Sequence, residues 1–130
     1  MSQQVPSASP QPADSTPANP ETAIRGYHAH IYFNQASKAA AWALKEEVGR
    51  RFTVSLGRFH ERLVGPHPQW SIQIAFAAPV FSELVPWLML NRQGLTIFIH
   101  PETGRDLADH SDHVLWLGPS DQLNIEMFKS

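Results

Sequence analysis

The chain of 130 residues has the size of one domain and is long enough to bury a hydrophobic core. Ten basic and twelve acidic side chains give a formal net charge of −2, which excludes the strongly basic surface of a nucleic-acid-binding protein. Because cysteine is absent, disulfides, thiol nucleophiles and thiolate metal sites are excluded, and a metal would have to be bound by nitrogen and oxygen atoms.

The first 22 residues differ in composition from the rest of the chain. They contain five prolines and a single branched aliphatic residue, Val5, so they cannot bury enough apolar surface to offset the entropy lost on ordering. We predict a disordered Pro- and Ser-rich leader over residues 1–22 and one domain over residues 23–130. No apolar run reaches the roughly 20 residues of a membrane span, and no secretory signal pattern is present, so we expect a cytoplasmic protein without membrane contact.

The first half of the domain has the pattern of two strands separated by a helix. Residues 24–33 alternate between two faces, with histidines on one face and aliphatic residues on the other, as a half-buried strand requires. Helical spacing follows over residues 34–49, and a second alternating segment over residues 52–60 predicts the next strand. The Gly- and Pro-containing segment 64–68 is typical of a turn.

The second half repeats the pattern of strand, helix and strand. Residues 70–77 alternate as a third strand, and a second helix begins at Pro79 and ends near Arg92. A fourth strand is predicted over residues 95–100. Two later segments, 113–118 and 123–128, have the composition and alternation of further strands that extend or cover the sheet.

This element order predicts an α+β fold, a ferredoxin-like βαββαβ sandwich with an antiparallel sheet, strand order 4-1-3-2 and C-terminal extension strands. Within that sheet we expect the first and third strands to run parallel and the fourth to run antiparallel to the first. The helices cover one face, so the other would expose apolar residues such as Phe98. We therefore predict a homodimer that buries part of that face or the C-terminal segment.

Histidines converge on one end of this predicted sheet. His28 and His30 lie on the same side of the first strand, and His28 is expected beside His100 at the end of the fourth. The turn that carries His67 and the end of the second strand with His60 are expected at the same rim. Nitrogen ligands in this arrangement predict a site for iron(II), zinc or manganese; the alternative is a set of polar residues on an exposed face.

Five segments, in this order, resemble the DOPA 4,5-dioxygenase family: HAHIYF (28–33), GRFH (57–60), GPHP (65–68), HPETGRDLADH (100–110) and LWLG (115–118). The resemblance covers residues 24–128. It implies a ferredoxin-like domain that often pairs as a dimer and cleaves a catechol ring in the extradiol manner with iron(II) and dioxygen. Asn34 stands where many relatives are expected to have an aspartate.

An extradiol site needs an iron(II) with open positions, typically bound by two histidines and a carboxylate. We predict His28, His67 and His100 as metal ligands, with His30 as a fourth ligand or as a catalytic residue that hydrogen-bonds the substrate. The carboxylate is not obvious: the nearest candidates are Glu61, Glu102, Asp106 and Asp109, of which Asp106 and Asp109 are interpreted as residues of a solvated turn and helix cap. An all-histidine site is therefore the alternative.

The remaining roles concern the substrate. His60 and His110 are predicted as acid and base, because an imidazole titrates near neutral pH. Arg58 is predicted to bind the carboxylate of a DOPA-like substrate as a bidentate pair, and Tyr32, on the histidine face, to contribute a hydroxyl.

Three functions follow from these residues. The first is an extradiol dioxygenase that uses iron(II) and dioxygen to cleave a small aromatic diol. Zinc or manganese is the alternative metal in purified protein. The second is a non-enzymatic dimer of the same fold that binds a metal or a small ligand. The third is a cofactor-free enzyme in which the histidines act as acid and base.

Overall fold

The computed structural model of the protein describes residues 23–129, so the predicted leader, residues 1–22, lies outside the described residues. The described part is a mixed α/β fold with a five-stranded antiparallel open sheet in the order β2-β3-β1-β4-β5. The strands are β1 (Tyr27–Phe33), β2 (Ser55–His60), β3 (Trp70–Phe76), β4 (Ile97–Pro101) and β5 (Leu115–Leu117). The helices are α1 (Lys38–Arg51), α2 (Phe81–Asn91) and the short α3 (Asp106–Asp109).

The order of the first four strands is as predicted, but one strand direction is not. β1 runs antiparallel to both of its neighbours, with His28 opposite Ala75 of β3 and His100 of β4. The prediction of a parallel β1 and β3 is wrong because β3 pairs antiparallel with the preceding β2, while the crossover through α1 leaves β1 and β2 parallel on either side of β3.

Because β3 runs opposite to the predicted direction, two predicted site residues enter the sheet at its other end. The first residue of β3, Trp70, pairs with Phe33, at the opposite end of β1 from His28. The turn that carries His67 leads into that end of the sheet, and His60, opposite Ser71, lies there as well. The expectation that His60 and the turn before β3 lie at the His28 end of the sheet is therefore wrong, although the His67 ring still reaches His30.

The hydrophobic core lies between the sheet and the two long helices. Strand alternation directs Ala29, Ile31 and the corresponding residues of β3 and β4 to this face, where each is at most 6% exposed. The helices add residues at helical spacing to the same cluster: Ala41, Leu44, Val48, Leu84, Val85 and Leu88. Full burial of each large aliphatic side chain contributes about 1.5–3 kcal/mol, so this face fixes the register of the sheet.

The chain itself covers the opposite face of the sheet. Phe98 is 0% exposed and packs between Trp116 of β5, at a ring-centroid distance of 4.7 Å, and the rings of His67 and His110, each at 6.2 Å. The expectation that Phe98 is exposed is wrong, because loops fold back over it. The homodimer stays a prediction, and exposure of Phe98 no longer supports it.

The C-terminal segment differs from the predicted strand over residues 123–128. It forms a 3₁₀ turn at Glu126–Phe128 and lies against the loop before β3, where the Asn124 amide donates to the Pro66 carbonyl at 2.9 Å. Of the two predicted C-terminal segments, β5 therefore extends the sheet, while Phe128 stacks on His110 at 4.4 Å and helps to cover the histidine face. Within residues 23–129, the structure has no helix long and apolar enough to cross a membrane.

Candidate metal centre

The register of two neighbouring strands assembles the site. Alternation in β1 places His28, His30 and Tyr32 on the covered face, and alternation in β4 places Phe98 and His100 there. His28 stands directly opposite His100, and His30 stands opposite Phe98. The i, i+2 spacing of His28 and His30 therefore puts two imidazoles on one face of β1, and the pairing of β1 with β4 brings His100 to the same face.

The three imidazoles are close enough to share one cation. One nitrogen atom of each of His28, His30 and His100 lies within 4.8 Å of the other two, and no carboxylate of residues 23–129 belongs to this group. The Nε2 atoms of His30 and His100 are 3.2 Å apart. Two metal–nitrogen bonds of ~2.1 Å that meet at ~100° end about as far apart, so the spacing suits a shared metal.

The Nδ1 atoms of His28 and His100 contact groups outside the cluster of three imidazoles. Nδ1 of His100 donates to the Pro101 carbonyl at 3.0 Å. Glu102 Oε2 is 3.3 Å from Nδ1 of His100 and 3.5 Å from Nδ1 of His28. Such contacts fix the tautomer of a metal-binding histidine, so Nε2 remains as the atom for a metal.

Burial keeps these histidines neutral. It lowers the pKa of His100 to about 4, and it lowers the pKa of His30 well below its usual value, an effect to which repulsion from the neighbouring histidines adds. The pKa of His28 is also lowered by burial, although Glu102 opposes the shift. At neutral pH the three rings therefore present lone pairs, as metal ligands must.

His67 reaches the same face by a different route. Its loop folds back over β1, so that the ring lies 4.1 Å from that of His30 and only 8% of the residue is exposed. The Tyr32 hydroxyl and Nδ1 of His67 share a hydrogen bond of 2.7 Å, and burial raises the pKa of Tyr32, which keeps its hydroxyl protonated. The structure therefore groups His30, and not His67, with His28 and His100.

Of the residues predicted to act on the substrate, the structure brings His110 to the site. Its ring lies 4.1 Å from that of His100, and its Nδ1 donates to the Asp106 carbonyl at 2.8 Å, which leaves Nε2 as an acceptor in the neutral ring. His60 is half-buried on β2 at the far end of the sheet. Arg58 is exposed in a bulge of β2, two strands away from His30, or roughly 10 Å.

Asp109 has a structural role that the sequence reasoning missed. It was expected in a solvated turn or cap, but it is 1% exposed and accepts bonds from the Thr103 amide at 2.8 Å, the Thr103 hydroxyl at 2.7 Å and His113 Nδ1 at 3.1 Å. Burial raises its pKa, but these bonds outweigh burial and hold the pKa below its usual value. Asp109 thus anchors the segment between β4 and α3 and is not a candidate ligand.

A surface cleft reaches the imidazole group at His28, whereas His30 and His100 are not part of its wall. It has a volume of about 590 Å³ and includes His28 and Glu102 in its wall, together with Arg25, Gly104 and residues of β2 and β3. A volume of this size accommodates a substituted catechol. Tyr32, which was predicted to bind substrate, is 1% exposed and does not line this cleft.

Comparison with known proteins supplies relatives over most of the described chain. The sequence model of the Dopa 4,5-dioxygenase family matches residues 27–127. A protein of Amanita muscaria named DOPA 4,5-dioxygenase is 35% identical over 114 residues, which are 81% of this chain and 50% of the fungal protein, so this chain spans about half the length of that relative. An uncharacterized 21.2 kDa protein of Botryotinia fuckeliana is 30% identical over 84% of this chain and 67% of its own length.

A solved structure is similar over nearly its whole length. It is the crystal structure of a candidate dioxygenase from Nostoc punctiforme, with 47% sequence identity and a TM-score of 0.82. The match covers 85% of this chain and 95% of the Nostoc chain.

Proposed function

Since the chain belongs to the Dopa 4,5-dioxygenase family, as its motifs predicted, we propose that it is an extradiol dioxygenase that cleaves a DOPA-like catechol with non-haem iron(II) and dioxygen. The observation that carries the proposal is the group formed by His28, His30 and His100, of which His28 lies in the wall of a cleft of catechol size. The names of the Amanita and Nostoc relatives support the reaction class.

The donor set fits a divalent metal. His28, His30 and His100 supply three nitrogen atoms on rings that burial keeps neutral, and the Glu102 carboxylate lies within 3.5 Å of two of these rings. Iron(II) held there would supply redox chemistry with dioxygen and positive charge that favours an ionised catechol. Zinc or manganese in purified protein would use the same nitrogen atoms.

The protein's own groups would bind the substrate and move its proton. His28, whose side chain is 25% exposed, lies where the cleft meets the group, so the diol enters from this side. His110, whose ring lies 4.1 Å from that of His100 and whose Nδ1 is bonded to the Asp106 carbonyl, would accept a catechol proton at Nε2. Tyr32 holds His67 over His30, while buried Phe98 excludes water from behind.

The first experiment is anaerobic reconstitution with iron(II), followed by oxygen and a panel of catechols that includes DOPA. We expect a yellow ring-opened product and oxygen uptake from the wild type and loss of both in His100→Ala. The matched control is His60→Ala, which removes a half-buried histidine at the far end of the sheet and is expected to retain activity.

Two results would contradict this function in different ways. A protein that binds iron(II) at the group but converts no catechol would be a binding protein, a reading that the lack of a carboxylate among the described donors favours. Activity that survives exhaustive chelation would assign the histidines to acid–base catalysis without a metal.

We also propose that the protein is a cytoplasmic homodimer. The family resemblance supports the dimer, whereas the covered histidine face removes the argument from exposed Phe98. Sedimentation equilibrium at micromolar concentration would contradict the dimer if it gave the mass of one chain.

A further inference from the structure

The backbone of Glu102 is fixed beside the imidazole group by the sheet. It follows His100 by two residues, so strand alternation directs both side chains to the same face. Its backbone continues the pairing of β1 with β4, because its amide donates to the Gly26 carbonyl and its carbonyl accepts from the Arg25 amide, both at 2.8 Å. The sheet therefore fixes the origin of this side chain, as it does for His28 and His100.

The carboxylate of Glu102 contacts two of the three imidazoles through the same oxygen atom. Oε2 is 3.3 Å from Nδ1 of His100 and 3.5 Å from Nδ1 of His28. Both contacts are on the side of the rings that a metal at Nε2 would not use. Glu102 itself does not belong to the group of mutually close donor atoms, so its position is that of a neighbour of the ligands.

From this geometry we infer that Glu102 is a positioning residue of the metal centre: its carboxylate favours the tautomer of His28 with the proton on Nδ1, as the Pro101 carbonyl does for His100, and so leaves both Nε2 atoms to a divalent cation. The inference rests on the proposed function for the presence of a metal and goes beyond it in assigning the residue that prepares the ligands. The negative charge also offsets part of the cation's charge, which three neutral imidazoles cannot do.

The closing experiment measures metal affinity and tautomer in the full chain. We propose titration of Zn²⁺ and Co²⁺ into wild type, Glu102→Ala and Glu102→Gln by calorimetry, with Glu61→Ala as the matched control. Glu61 is also a partly exposed acid, paired with Lys38 at 2.9 Å and away from the site. We expect a 10- to 100-fold weaker affinity in Glu102→Ala, an intermediate value in Glu102→Gln, and the wild-type value in Glu61→Ala.

Two spectroscopic readouts separate positioning from a general structural effect. Nitrogen-15 NMR of the metal-free wild type is expected to show the Nδ1–H tautomer at His28 and His100, and a mixture of tautomers at His28 in Glu102→Ala. The absorption bands of Co²⁺ at saturation are expected to coincide in wild type and variant, because the ligand atoms are the same.

Each contrary result has a distinct meaning. Wild-type affinity and tautomers in Glu102→Ala would overturn the positioning role and leave the proposed function intact. Changed Co²⁺ bands in that variant would make Glu102 a ligand and overturn the role as well. If the wild type bound neither Zn²⁺ nor Co²⁺, the metal centre and the role of Glu102 would fail together.

Discussion

Single residues in the cleft decide which substrate the centre would accept. The sequence singled out Arg58 as the partner of a substrate carboxylate, yet Arg58 is exposed on the edge strand β2, whereas Arg25 lies in the wall of the cleft with His28. Within residues 23–129 the Arg25 guanidinium has no carboxylate partner within 4 Å; it lies against Gly104, where an added Cβ would be 3.2 Å from it. A planar guanidinium in that position suits bidentate binding of a carboxylate.

We therefore predict that Arg25→Gln raises KM for a carboxylated catechol such as DOPA by about 10-fold or more, with little change for unsubstituted catechol, because only the former loses a charge-assisted pair. Steady-state kinetics with the two substrates measure the ratio of their KM values. Arg58→Gln is the matched control and is expected to leave it unchanged. The reverse pattern would return the role to Arg58.

At the scale of secondary-structure elements, the connection from β4 to α3 depends on one buried carboxylate. Asp109, at the end of α3, accepts two bonds from Thr103 and one from His113. These bonds tie a four-residue helix, too short to be stable alone, to the strand that carries His100. The position of His110 over the site depends on the same bonds, since His110 follows Asp109 directly.

We predict that Asp109→Asn lowers the free energy of unfolding by about 1–3 kcal/mol, because a buried, charge-assisted set of bonds is weakened. The lowered pKa of Asp109 gives the sign of the pH dependence: its stabilisation is present above the unfolded pKa, about 3.9, and is lost as pH falls through the folded pKa. The difference between wild type and variant should thus shrink below pH 4.

Urea unfolding at pH 7 and at the lowest pH where both proteins fold measures this difference. Asp106→Asn is the matched control, since Asp106 begins the same helix and is exposed. It is expected to change stability by less than about 0.5 kcal/mol. Equal stability of Asp109→Asn and wild type at pH 7 would contradict the anchoring role.

The strands also show which features of the site are predictable from the sequence. Alternation correctly predicted that His28, His30 and His100 share a face, because the two-residue period is a local property of a strand. Strand direction is not local, and its misassignment for β3 put His67 at the wrong end of the sheet. His67 still contacts His30, through a loop whose path no periodic pattern encodes.

At the scale of the whole molecule, the histidine cluster couples stability to pH. Burial lowers the pKa of His67 and His100 to about 4, and lowers those of His28 and His30 as well. In the unfolded chain each would titrate near 6.5, so the unfolded state binds protons first as the solution is acidified. Folding of the metal-free protein is therefore opposed by acid well above the range where carboxylates titrate.

We predict that the free energy of unfolding of the metal-free protein falls as pH drops from about 6.5 toward 4, by up to ~1.4 kcal/mol per pH unit for each such histidine. His67→Gln removes one of these groups and keeps an acceptor for the Tyr32 hydroxyl, so its stability should fall less steeply with acidification. Urea unfolding at half-unit intervals of pH measures both slopes.

Saturating Zn²⁺ should raise the free energy of unfolding at pH 7. This stabilisation should disappear in acid, since protons compete with the metal for the same nitrogen atoms. A stability that is constant between pH 7 and pH 5 would mean that the four rings are charged or solvated in the folded protein, and the covered histidine face could not then be the neutral ligand set on which the metal centre depends.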